Sequence, residues 1–137
     1  MQYNNLYTYI VNRLIVELPL HLHYHNLNHI IEVVQCVEEL GNSEGCSEEE
    51  IHLLKTAALM HDFGFVQQKE DHEEVSCSFV RDILPGFGYS LDEIEEICRM
   101  IISTKLPQNP TDKLSQLLCD ADLFYVGTDQ YTTRAEL

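Results

Sequence analysis

Three places along this chain put metal-ligating side chains where an apolar residue would otherwise fall. His29 lies beside Ile30 and Val33, one helical turn after His25. The doublet His61-Asp62 follows Ile51, Leu54 and Ala58 at spacings of three and four, so His61 continues the apolar stripe of its helix. Asp122 comes one turn after Leu118, with Ala121 and Tyr125 beside it at helical spacing. An ionised carboxylate on an apolar helix face is costly unless something compensates, and a coordinated cation compensates most strongly. Together His29, His61, Asp62 and Asp122 make a mixed nitrogen and oxygen donor set. Such a set suits Mn, Fe, Co, Ni or Zn, with Mg possible, better than thiophilic metals. The chemistry open to it is hydrolytic: activation of water and neutralisation of charge developing on phosphoryl oxygens.

Each place alone has a plainer reading. Taken alone, His29 reads more readily as a hydrogen-bonded core or boundary residue, the doublet as a helix C-terminus, and Asp122 as a cap or a partner for a base. What sets them apart is that all three sit on stripes that should converge, which shifts attention to the helices. Leu6, Ile10, Leu14 and Leu18 define a first helix, stopped by Pro19. Asn26 or Asn28 caps a second, carrying Leu27, Ile30, Ile31, Val34, Val37 and Leu40 and ended by Gly41. Ser47 with Glu50 forms a capping box for a third, which runs to about Asp62. A fourth carries Val75, Phe79, Val80, Ile83 and Leu84, before Pro85-Gly86. Ser90 with Glu93 opens a fifth containing Ile94, Ile97, Ile101 and Ile102, and Leu114, Leu117, Leu118 and Ala121 begin the last. With no strand alternation, the expectation is an all-α, compact helical bundle of five to six helices, one domain over residues 1–137. Gly41 to Cys46 and Phe65 to Asp71 read as exposed loops, and the second could border a site. The alternating His21, His23 and His25 read as one side of an extended loop, a weak metal-tract signal.

Bulk properties narrow the partners. Lys and Arg total 8 against 23 Asp and Glu, a formal charge of −15. Such a surface repels a nucleic-acid polymer and an anionic membrane, yet allows a small phosphorylated substrate where a cation reverses the local field. The five cysteines form no CxxC pair, and Cys36, Cys98 and Cys119 fall among apolar residues. They read as buried free thiols, the usage of a reducing compartment, so a cytoplasmic location is expected. No apolar run is long enough to span a bilayer or resembles a signal peptide.

The motifs also carry a family resemblance. Tyr24-His25-Asn26-Leu27-Asn28-His29 resembles the "YHN..H" opening of small HD-superfamily phosphohydrolases. Ala58-Leu59-Met60-His61-Asp62-Phe63-Gly64 is similar to the segment that names the superfamily, and Asp120-Ala121-Asp122 to its closing "DAD". The likeness covers roughly residues 24 to 127 and implies His29, His61, Asp62 and Asp122 as metal ligands, with Asp62 also catalytic. Asp71-His72-Glu73-Glu74-Val75-Ser76 resembles an "HE..S" segment of the same subgroup. It makes His72 the first candidate for contacting a phosphate, protonating a leaving group or holding a second metal. Glu73 and Glu74 read as dipole-favoured residues of an exposed helix start. His25, inside the first motif, and Lys105, one of few cations, are the candidate substrate-binding residues. Dinuclear relatives carry further histidines between the doublet and the last Asp, where this chain has only His72, so a full dinuclear ligand set is not expected. The domain also looks shortened at its C-terminus relative to that family.

Two functions follow as expectations. The first is metal-dependent hydrolysis of a phosphate ester in a nucleotide or other small phosphorylated metabolite. The second is a non-catalytic metal- or nucleotide-binding regulatory module on the same helical scaffold. The oligomeric state is not encoded in these patterns.

Overall fold

The computed structural model describes residues 1–18 and 20–126, with their side chains except those of 20–26 and 124–126. Six helices account for most of it: α1 (Tyr3–Glu17), α2 (Leu20–Ser43), α3 (Glu48–Met60), α4 (His72–Ile83), α5 (Leu91–Ser103) and α6 (Lys113–Val126). Short 3-10 turns, Phe63–Val66 and Leu84–Phe87, follow α3 and α4, and there is no strand among the described residues. The all-α expectation holds.

Both capping boxes form. Glu50 N–H donates to Ser47 Oγ at 3.1 Å while Ser47 N–H donates to Glu50 Oε1 at 2.8 Å. Ser90 and Glu93 repeat the arrangement at 3.2 and 2.8 Å. Each box satisfies two backbone donors that a helix start otherwise leaves open.

The second helix departs from the sequence reading at both ends. Its backbone is already helical at Leu20, so residues 21–25 are not an extended loop and neither Asn26 nor Asn28 is a cap. His, Tyr and Asn carry only small helix penalties, too weak to break a helix anchored by the buried stripe that follows. The side chains of His21, His23 and His25 lie outside the described residues, as does Pro19. At the other end the helix passes through Gly41 and stops at Ser43. The terminator is Gly45, at φ +72°, where Cys46 N–H reaches back to the Gly41 carbonyl at 2.9 Å. Gly41 serves packing instead, because a Cβ there would stand 3.0 Å from Ile51 Cγ1 on α3.

α3 is the central element, packed against α1, α2, α5 and α6. The sequence marks one stripe on it, but Leu53, Leu54, Thr56 and every residue from Ala57 to Met60 are buried. With neighbours on several sides, the last turns of α3 are buried all round, so an ordinary amphipathic pattern is lost there. Cys77, Cys98 and Cys119 are buried free thiols, whereas Cys36 on α2 is only half-buried. No helix among the described residues is long and apolar enough to cross a membrane.

Candidate metal centre

Four elements deliver side chains to one point. His29 projects from the middle of α2, and His61 is the residue at which α3 ends. Asp62 precedes the 3-10 turn, and Asp122 sits two turns into α6. His29, His61, Asp62 and Asp122 are 3%, 1%, 5% and 6% exposed, so the cluster is buried. His29 Nε2 lies 3.3 Å from His61 Nε2. Asp122 Oδ1 stands 3.1 Å from His29 Nε2 and 3.6 Å from His61 Nε2. Asp62 Oδ2 stands 3.4 and 3.3 Å from the same two nitrogens.

These spacings fit a metal. Donors bound at about 2.0–2.1 Å at right or tetrahedral angles stand about 2.9–3.4 Å apart, the range these pairs occupy within a few tenths of an ångström. The donor atoms of His29, His61 and Asp122 all lie within 4.8 Å of one another, a group able to hold an ion. The His61 ring is also preset. Its Nδ1 is 2.6 Å from the Ala58 carbonyl, so Nδ1–H donates there and Nε2 is directed at the cluster.

The electrostatics demand positive charge. Burial opposes a proton on His61, but Asp62 and Asp122 outweigh it and raise its pKa to about 9. Burial would push the Asp62 carboxyl up, yet His61, His29 and His72 hold it well below the usual carboxylate range. Two buried carboxylates must be balanced by protons on imidazole or by a divalent cation, and the two compete.

His72 begins α4 and stands beside the cluster. Its Nε2 is 3.0 Å from Asp62 Oδ1, so Asp62 divides its oxygens between the imidazole pair and His72. The ring stacks on Phe65 with centroids 4.1 Å apart. Burial works against its proton, but the hydrogen bond and charge of Asp62, helped by Glu73, raise its pKa. Glu73 is 8% exposed with Oε2 3.3 Å from His72 Nε2, so it faces inward and is no solvated residue of an exposed helix start. Its only sequence signal was its place after His72. Gln108, whose Nε2 donates to Asp122 Oδ2 at 3.1 Å, gave no signal at all.

A cavity of about 160 Å³ opens at this point, lined in part by Asp62, His72, Glu73, Thr104, Gln108 and Asp122. A larger one, about 450 Å³, lies near the same loop without any imidazole in its lining. Lys105 lines the larger cavity and not the smaller. Its Nζ is engaged at 2.8 Å by both Asp71 Oδ1 and Glu74 Oε1, which raise its pKa and tie the loop after α5 to the start of α4. The structure thus brings together His29, His61, Asp62, His72 and Asp122, and leaves Lys105 at the rim. The His25 side chain lies outside the described residues.

A family model described as HD domain matches residues 26–126, most of the chain. This chain belongs to the HD domain family. The match encloses all five clustered residues of this HD domain. The HD domain also resembles the crystal structure of a predicted HD superfamily hydrolase from an uncultured Thermotogales bacterium, with a TM-score of 0.75 and 21% identity. That likeness covers 93% of this chain and 72% of the other, and it speaks for the fold. A comparison with curated proteins finds no match.

Proposed function

We propose that this HD domain is a metal-dependent phosphohydrolase acting on a small phosphorylated metabolite, with nucleotides as the leading substrate class. The observation behind the reading is the convergence of His29, His61 and Asp122, with Asp62 against both imidazoles, in one buried cluster. Membership of the HD domain family supports the same reaction class.

In this reading His29, His61, Asp62 and Asp122 hold the ion. A divalent metal bound by such donors supplies an activated water and offsets charge on the phosphoryl oxygens. His72 Nε2 stands at the cavity wall with its one proton directed to Asp62 Oδ1; a bound leaving-group oxygen takes Asp62's place as acceptor and receives that proton, while the stack on Phe65 keeps the ring in position. Glu73, with Oε2 3.3 Å from Nε2, favours the protonated ring through its charge. The cavity, about 160 Å³, is smaller than the roughly 300–1,000 Å³ of pockets that enclose whole ligands. It suits a phosphoryl group and its neighbouring atoms, with the rest of the substrate outside.

The test is elemental analysis of protein purified without chelator or affinity-tag metal, beside the Asp62→Ala variant, followed by a phosphatase screen in the metal found. Near-stoichiometric transition metal in the wild type, little in the variant and turnover of a phosphate ester support the reading. No metal after reconstitution with Mn, Co, Ni and Zn would transfer the assignment to a non-catalytic binding module.

A further inference from the structure

The loop between α5 and α6 is a wall with two faces. Thr104, Leu106 and Gln108 line the cavity beside Asp62 and Asp122, while Lys105, Pro107 and Asn109 line the neighbouring one. Gln108 thus lies on the metal side of this wall. The loop is closed by a backbone hydrogen bond from Asn109 N–H to the Ser103 carbonyl at 3.2 Å, which anchors the residue immediately before Asn109.

From that position Gln108 Nε2 donates to Asp122 Oδ2 at 3.1 Å. The other oxygen of the same carboxylate, Oδ1, is the one beside His29 and His61. Turned over, the amide would face Asp122 with its own oxygen, setting two acceptors against each other, so the donor orientation is the one the pair can use. In that orientation Gln108 Oε1 is buried with no hydrogen-bond partner among the described residues. A buried acceptor left open disfavours folding. That cost offsets part of what the bond to Asp122 contributes to folding.

We infer that Gln108 is a positioning residue for Asp122: it grips Oδ2 and so presents Oδ1 to the imidazole pair, setting the affinity of the centre for a cation. The inference rests on the metal centre proposed above. Groups that hydrogen-bond metal ligands contribute to metal affinity typically by about 10–100-fold. Methionine at this position fills similar space with neither donor nor buried acceptor.

The experiment is calorimetric titration of metal-free wild type and Gln108→Met with Mn(II) alone, with thermal unfolding of both metal-free proteins. The expected result is binding weakened by about tenfold or more, with a metal-free Tm equal to or above that of the wild type. Wild-type affinity in Gln108→Met overturns the inference, as does a lowered Tm with unchanged affinity, the mark of a packing residue. Should Gln108→Met not fold, Gln108→Asn keeps the amide but shortens its reach, and wild-type affinity there overturns the inference equally. A wild type that binds no Mn(II) overturns the metal centre itself, an outcome distinct from equal binding by wild type and variant.

Discussion

Ser76 and His61 are joined across the centre of the molecule. The Ser76 hydroxyl, buried on α4, donates to the His61 backbone carbonyl at 3.1 Å. Ser76 Oγ in turn accepts the Gly64 N–H at 2.7 Å. One hydroxyl thus clips the backbone on both sides of Asp62, where α3 has ended and its last carbonyls need partners. It also sets the distance between the doublet His61-Asp62 and the helix that begins with His72.

Ser76→Ala removes both bonds and leaves a buried N–H and a buried carbonyl without this partner. The expected loss is about 1–3 kcal/mol of unfolding free energy by urea denaturation. A variant as stable as the wild type would show that the clip contributes nothing.

Gly64 is required by close approach. A Cβ there would stand 2.1 Å from the His72 carbonyl oxygen and 3.0 Å from Ser76 N, both backbone atoms that cannot swing aside. Gly64→Ala is expected to lose about 3 kcal/mol, the upper end of ordinary overpacking, and to bind metal more weakly because α4 must shift. Denaturation and metal titration of one sample check both, and wild-type values in both would refute the close approach.

Stability without metal should depend on pH through His61. Its pKa rises from 6.5 to about 9 on folding, so folding favours the protonated ring. That contribution is fully present below pH 6.5 and disappears as pH climbs through about 9. Asp62 acts in the opposite window, since its lowered pKa contributes above the ordinary carboxylate value and is lost on acidification. Urea midpoints in chelator should therefore fall between pH 6.5 and 9, and the fall should be smaller with metal bound, because the cation replaces the proton. A metal-free midpoint that is flat across this window would contradict the charge balance described for the cluster.

Lys105 should matter little to turnover. Its ammonium is half exposed and occupied by Asp71 and Glu74. Exposed ion pairs of this kind contribute little, because water and salt screen them. Lys105→Ala is expected to leave KM within about twofold and the urea midpoint close to that of the wild type. A KM raised by tenfold or more would return Lys105 to the substrate-binding role that its charge suggested.

Much of the site was legible in the sequence because its parts are local signals. His29, His61 and Asp122 each interrupt an apolar stripe, and an interruption of helical period shows without any knowledge of the neighbours. The capping boxes are as local, spanning four residues each, and both form as read. Gly41 misled because the same residue type serves two purposes. A glycine ends a helix or lets two helices touch, and only the presence of Ile51 against it decides which.

The sequence by itself determined that the protein is helical, roughly where its helices run, and which side chains are out of place on their apolar faces. The tertiary structure alone decided that these side chains meet within hydrogen-bond distance, that Glu73 turns inward, and that Gln108 reaches Asp122. It also decided that Lys105 is spent on an acidic pair more than thirty positions away. The reason is one of range. Periodicity and capping report interactions within a turn or two of the chain, whereas a contact between helices depends on how every buried face packs at once.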